Sequence, residues 1–136
     1  MRVLGIDYGT KRVGIAISDA TGTIANPYIT LTNDHRLVEE ITKITNNYQI
    51  KTIVLGLPKH MNNDQSIIGD KVLELKVTLE ENNLNVVLVD ERRTSSEANR
   101  IMRENNSRKK NRKEKIDALA ASIILQTYLD TDYTAN

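Results

Sequence analysis

Thr52-Ile53-Val54-Leu55-Gly56-Leu57 is an unbroken apolar run closed by Pro58. Six residues is the length of a strand, and a strand with no polar alternation has both faces covered, which is the setting of a central parallel strand. Proline has no N–H to give to a ladder, so the run ends where it does. Parallel neighbours need long crossovers, usually helical, and those helices must lie on the faces of the sheet. The hexamer therefore restricts the chain to an α/β architecture.

The flanking pattern fits that restriction. Three segments rich in Val, Ile, Thr and Tyr, at about 2–7, 12–18 and 24–31, are separated by Gly9-Thr10-Lys11 and by Asp19-Ala20-Thr21-Gly22-Thr23, short enough for hairpins. They predict an antiparallel meander. Leu37, Ile41, Ile44 and Tyr48 then recur at helical spacing behind the cap candidates Asn33 and Asp34, with an end expected near Asn46-Asn47. Ile68, Val72, Leu75 and Leu79 predict a second helix over 65–82, with Gly69 near its start, and Val86-Val87-Leu88-Val89 predicts a fifth strand. Thr94-Ser95-Ser96-Glu97 has capping-box spacing for a helix carrying Ala98, Ile101 and Met102. Residues 105–113 lack apolar periodicity and read as a loop. A final helix is expected from about Glu114 to Leu129, with a frayed tail after Tyr133. The order gives a five-stranded mixed sheet, a meander followed by two strand-helix-strand crossovers, with helices on its faces. At 136 residues the expectation is one domain, 1–136.

Composition excludes several functions. There is no cysteine, hence no disulfide and no thiolate metal site, and two histidines make a zinc site improbable. No apolar run reaches the ~18 residues of a membrane span, and the chain starts directly on a strand-like segment, so a cytoplasmic protein with no membrane partner is expected. The net charge of +1 hides an uneven distribution. Arg100, Arg103, Arg108, Lys109, Lys110, Arg112, Lys113 and Lys115 stand against Glu104 and Glu114 in one stretch, a local +6 on an otherwise mildly acidic chain. Such a segment suits a phosphate backbone, although a solvated helix end and loop have the same composition.

Sites in open α/β sheets collect at the carboxyl ends of the parallel strands. Asp7 closes the first strand inside apolar sequence, where a carboxylate is costly unless it is hydrogen-bonded, protonated or serving a metal ion. Asp90 and Glu91 close the fifth strand. Successive strand residues alternate faces, so only one of these two is expected to be a ligand, and the pattern alone does not choose. Asp117 is expected in the first turn of the final helix, where a favourable charge at a helix N-terminus is the competing explanation. Three converging carboxylates stay ionised only beside a cation, and hard oxygen donors select Mg²⁺ or Mn²⁺. One or two such ions would activate water against a phosphodiester.

Gly5-Ile6-Asp7-Tyr8-Gly9-Thr10-Lys11-Arg12-Val13-Gly14-Ile15-Ala16, Gly56-Leu57-Pro58, Asp90-Glu91-Arg92-Arg93-Thr94-Ser95 and the stretch from Ile116 to Gln126 resemble the bacterial YqgF/RuvX family. Its members carry two labels, Holliday junction resolvase and pre-16S rRNA nuclease. The resemblance covers about residues 1–130 and implies a ribonuclease H-like fold and a metal-dependent nuclease. It maps the acidic site onto Asp7, Glu91 and Asp117, choosing Glu91 over Asp90. It sets Lys11, Arg12, Arg92, Arg108, Lys109, Lys110, Arg112 and Lys113 against nucleic acid. Where many relatives have an Asp-Gly-Ser-like turn this chain reads Asn62-Asn63-Asp64, which leaves the acids untouched.

Two other classes compete. Asp7-x-Gly9-Thr10 before a strand also resembles the first phosphate loop of the sugar kinase and actin superfamily, but that ATP-dependent machinery closes two domains on its nucleotide. A nucleic-acid-binding module without catalysis would need the same basic surface. Among the remaining residues, His60 reads as a solvated loop histidine, Tyr8 as sheet packing, and Gly14 as a close approach of another segment or a bulge. A Holliday junction has two-fold symmetry and calls for a dimer. With no Trp or Phe to build a permanent interface, a monomer acting at the 5′ end of pre-16S rRNA is the expected function, and junction resolution the alternative.

Overall fold

The computed structural model describes residues 1–57, 63–90 and 109–135. Strands β1 (Val3–Tyr8), β2 (Arg12–Ser18) and β3 (Ala25–Thr32) form the meander, and helix α1 (Leu37–Tyr48) leads to β4 (Thr52–Leu57). Helix α2 (Asn63–Glu81), strand β5 (Asn85–Asp90) and helix α3 (Lys109–Ala135) follow. The five strands make one sheet in the order β3-β2-β1-β4-β5. β1 pairs antiparallel with β2 and parallel with β4, and β4 pairs parallel with β5. The mixed sheet expected from the element order is the sheet observed, with β4 in the interior.

The alternation of side chains sorts the core into two layers. Leu4, Ile6, Val13, Ile15, Ile53, Leu55 and Val86 face α1 and α2 and join Ile41, Val72, Leu75 and Leu79. Tyr8 packs against this layer as expected. Val3, Ala16 and Val54 face the other way, onto Ala121, Ile124, Leu125 and Leu129 of α3. Fully burying side chains of this size contributes about 1.5–3 kcal/mol each before entropy is charged against it.

Helix α3 lies unusually close to the sheet. A methyl group on Gly14 would stand 1.9 Å from the carbonyl oxygen of Asp117, and one on Gly5 would stand 2.7 Å from Leu125 Cβ. No side chain fits at either point, so two strand glycines set the depth at which the helix docks. The bulge in the β2–β3 pairing falls one residue later, between Ile15 and Ala16. At the far end Gln126 fastens α3 to the sheet rim: its Oε1 accepts from Ala25 N–H and its Nε2 donates to the Thr23 carbonyl.

Three sequence expectations are corrected. Residues 109–113, read as part of a loop, open α3, and the helix runs to Ala135, beyond the end expected near Leu129. Lys and Arg are good helix formers, so missing apolar periodicity did not mark a break in the helix. Neither cap candidate caps α1. Its N-cap residue is Arg36, with no side-chain cap; Asp34 accepts from Arg36 N–H, and Asn33 donates to the Gly9 carbonyl. The expected helix at 94–102, the loop at 105–108 and His60 lie outside the described residues.

Candidate active site

Asp7 is the next-to-last residue of β1, at the carboxyl end shared by the parallel strands β1, β4 and β5. It is half-buried and stands directly opposite Gly14. Directly opposed residues of an antiparallel pair project from the same face of the sheet. The position a Gly14 side chain would take is filled by the Asp117 carbonyl, so Asp7 is on the α3 face, beside Asp117. The next step of the β1–β4 register sets Asp7 beside Gly56. A strand carboxylate flanked by glycine on either side has neighbours that add no side-chain bulk to its face.

Asp117 is the ninth residue of α3, not a first-turn residue as expected from the sequence. A helix dipole acts on charges in its first turn, so that explanation for the acid loses its basis. Its side chain is 21 % exposed, and its Oδ2 accepts a hydrogen bond from Arg12 Nε at 2.7 Å, an ion pair spanning β2 and α3. Arg12 opens β2 and shares the α3 face with Gly14 and Ala16 by the two-residue period of the strand. The turn before it is pinned from β3's end, where Asn33 donates to the carbonyls of Gly9 and Lys11. Arg12, expected to face nucleic acid, thus has its Nε on a candidate acid; Lys11 is exposed in the turn.

Glu91, Arg92 and Arg108 lie outside the described residues, and Lys109, Lys110, Arg112 and Lys113 form the first turn of α3. At 1.5 Å per residue that turn starts about 12 Å along the helix axis from Asp117. Among the described residues no three metal-competent side chains gather. Two of the three expected acids do share one face, and both are hard oxygen donors of the kind Mg²⁺ and Mn²⁺ take. An open groove of about 740 Å³ borders Met1, Arg2, Tyr48 and Lys51 at the opposite end of the sheet and has no acid in its lining. Gly14, read from the sequence as a close approach of another segment or a bulge and given no function, is that close approach, with α3 at Asp117. Its signal was there, a glycine inside a strand facing an acid across a hairpin.

This sheet order with its α3 layer is the ribonuclease H-like fold, and solved structures of junction-cleaving nucleases share it. Thermus thermophilus RuvC in complex with a Holliday junction substrate matches with a TM-score of 0.65 at 12 % identity, covering 98 % of this chain and 96 % of that one. The fowlpox virus resolvase with junction DNA matches at 0.55 and 15 % identity, covering 96 % and 98 %. Residues 1–131 match the model of the RuvX family, described as Holliday junction resolvase, and the chain belongs to that family. Curated relatives named "Putative pre-16S rRNA nuclease" include one from Thermoanaerobacter pseudethanolicus, 43 % identical over 96 % of this chain and 97 % of its own. Another, from Listeria monocytogenes, is 41 % identical over 96 % and 99 %.

Proposed function

We propose that the chain is a divalent-metal-dependent nuclease that hydrolyses a phosphodiester bond in maturing the 5′ end of pre-16S rRNA. The observation that carries the reading is the pairing of Asp7 with Gly14 beneath Asp117, which brings a strand acid and a helix acid to one face. Asp7, Asp117 and Glu91 would hold Mg²⁺ or Mn²⁺. The choice of Glu91 over Asp90 rests on the resemblance of Asp90-Glu91-Arg92-Arg93 to the family's motif. A bound ion would supply Lewis acidity for the attacking water and the leaving oxygen. The chain's own residues do the rest. The acids fix the reacting centre on a rigid sheet, and the basic first turn of α3, with Lys11 and Arg92, neutralises the flanking strand. The names of the curated relatives supply the substrate, and the reading takes the protein to act as a cytoplasmic monomer.

A specific observation keeps junction resolution as a second reading. Edge strand β3 carries no charge and exposes Tyr28 and Ile29, the kind of edge that a second copy can meet to form a two-fold dimer. The two separate when purified protein and Mn²⁺ are given precursor 16S rRNA in ribosomal particles and, in parallel, four-way junction DNA. Shortening of the precursor's 5′ end is expected. Symmetrical nicks in the junction with the precursor untouched would transfer the assignment to junction resolution.

A further inference from the structure

We infer that the Arg12–Asp117 ion pair is a latch on the metal site: Arg12 and a divalent cation compete for the Asp117 carboxylate, and a substrate phosphate that draws Arg12 away frees Asp117 for the ion. The inference rests on the metal-site reading above and adds a residue and a coupling to it. Arg12 Nε lies 2.7 Å from Asp117 Oδ2, so the guanidinium holds an oxygen that a metal ion would take. A cation sharing that carboxylate meets a fixed positive charge at close range, a repulsion that lowers its affinity. The pair is built to move on one side only. Asp117 belongs to a helix held down at Gly14 and Gly5, whereas Arg12 has a long side chain, 39 % exposed, at the mouth of a hairpin. Guanidinium pairs with phosphate as readily as with carboxylate, often through two parallel hydrogen bonds. Phosphate and metal therefore help each other bind: either one removes the partner that Arg12 or Asp117 loses to the other. Such coupling is reciprocal by thermodynamic necessity.

An alternative role for Arg12, orienting Asp117 as a ligand, makes the opposite forecast, since outer partners that orient a ligand strengthen metal binding. Calorimetric titration of Mn²⁺ into the wild-type chain and Arg12→Gln, without nucleic acid, separates them. The latch requires Arg12→Gln to bind Mn²⁺ about tenfold more tightly, an ordinary size for coupled sites, and Arg12→Lys to fall between. An unchanged or weaker affinity in Arg12→Gln overturns the latch while leaving the metal site standing. No Mn²⁺ binding in either protein removes both. A second measurement needs no variant. In ¹⁵N NMR the Arg12 Nε–H signal must lose its hydrogen-bonded shift as Mg²⁺ saturates the protein, and a signal that stays in place at saturation contradicts displacement.

Discussion

Gly14 decides more at the residue scale than any charged group, because it sets how near α3 comes to β2, opposite Asp7. Gly14→Ala would place a methyl 1.9 Å from the Asp117 carbonyl oxygen, and backbone cannot yield as a flexible side-chain end can. The helix must lift, with an expected loss of about 3 kcal/mol read from the urea midpoint. Gly5→Ala meets Leu125 Cβ at 2.7 Å and should cost less, about 1–2 kcal/mol. Equal, negligible losses at both positions would show that the docking depth is not set there. The sequence made Asp7 conspicuous, since an acid among apolar strand residues needs a reason. It could not reveal why Gly14 mattered, because the contact joins residues more than a hundred positions apart.

Elements carry two separable expectations. The first turn of α3 holds four basic residues and no acidic one at the positive end of the helix dipole, an arrangement that opposes its own helix. Saturating the protein with uncleavable 2′-O-methyl RNA in EDTA should therefore raise the helical circular dichroism signal, and an unchanged signal would mean that this turn needs no anion. In the β2–β3 turn the Asp19 carboxylate is held down to about 2, first by the Thr21 hydroxyl, then by the N–H groups of Ile24 and Thr23. Its folded pKa is below the ordinary aspartate value near ~3.9. Its stabilisation of the turn is complete above that value and is lost as pH falls through about 2. A carboxyl ¹³C titration should place the Asp19 midpoint near 2, with the amide protons of Thr23 and Ile24 losing protection in step. Strands and helices were legible here because their apolar periods are strong. The start of α3 was not, since a helical turn of Lys and Arg has no apolar period to read.

For the whole molecule, charge is segregated: the basic stretch begins α3, and the acids of the site lie further along it and beneath it. Affinity for single-stranded RNA should fall steeply with salt. Replacing Lys109, Lys110, Arg112 and Lys113 together by Gln should flatten the log–log salt slope by about 3, at ~0.7 per phosphate contact. The architecture was open to sequence reading because a six-residue apolar strand and a preceding meander leave few ways to arrange five strands. Of the candidate site, Asp7 and Asp117 could be singled out in the sequence and lie on one face, while the Arg12–Asp117 pair was not legible, since nothing in a linear pattern joins a hairpin mouth to a helix. The central claim is that these acids hold the ion that cuts the strand. Its most direct measurement is Mn²⁺-dependent cleavage of precursor 16S rRNA by the wild-type chain and Asp7→Asn, each shown folded by circular dichroism. Cleavage should drop by roughly a hundredfold or more in Asp7→Asn, and full cleavage by a folded Asp7→Asn protein would contradict the site.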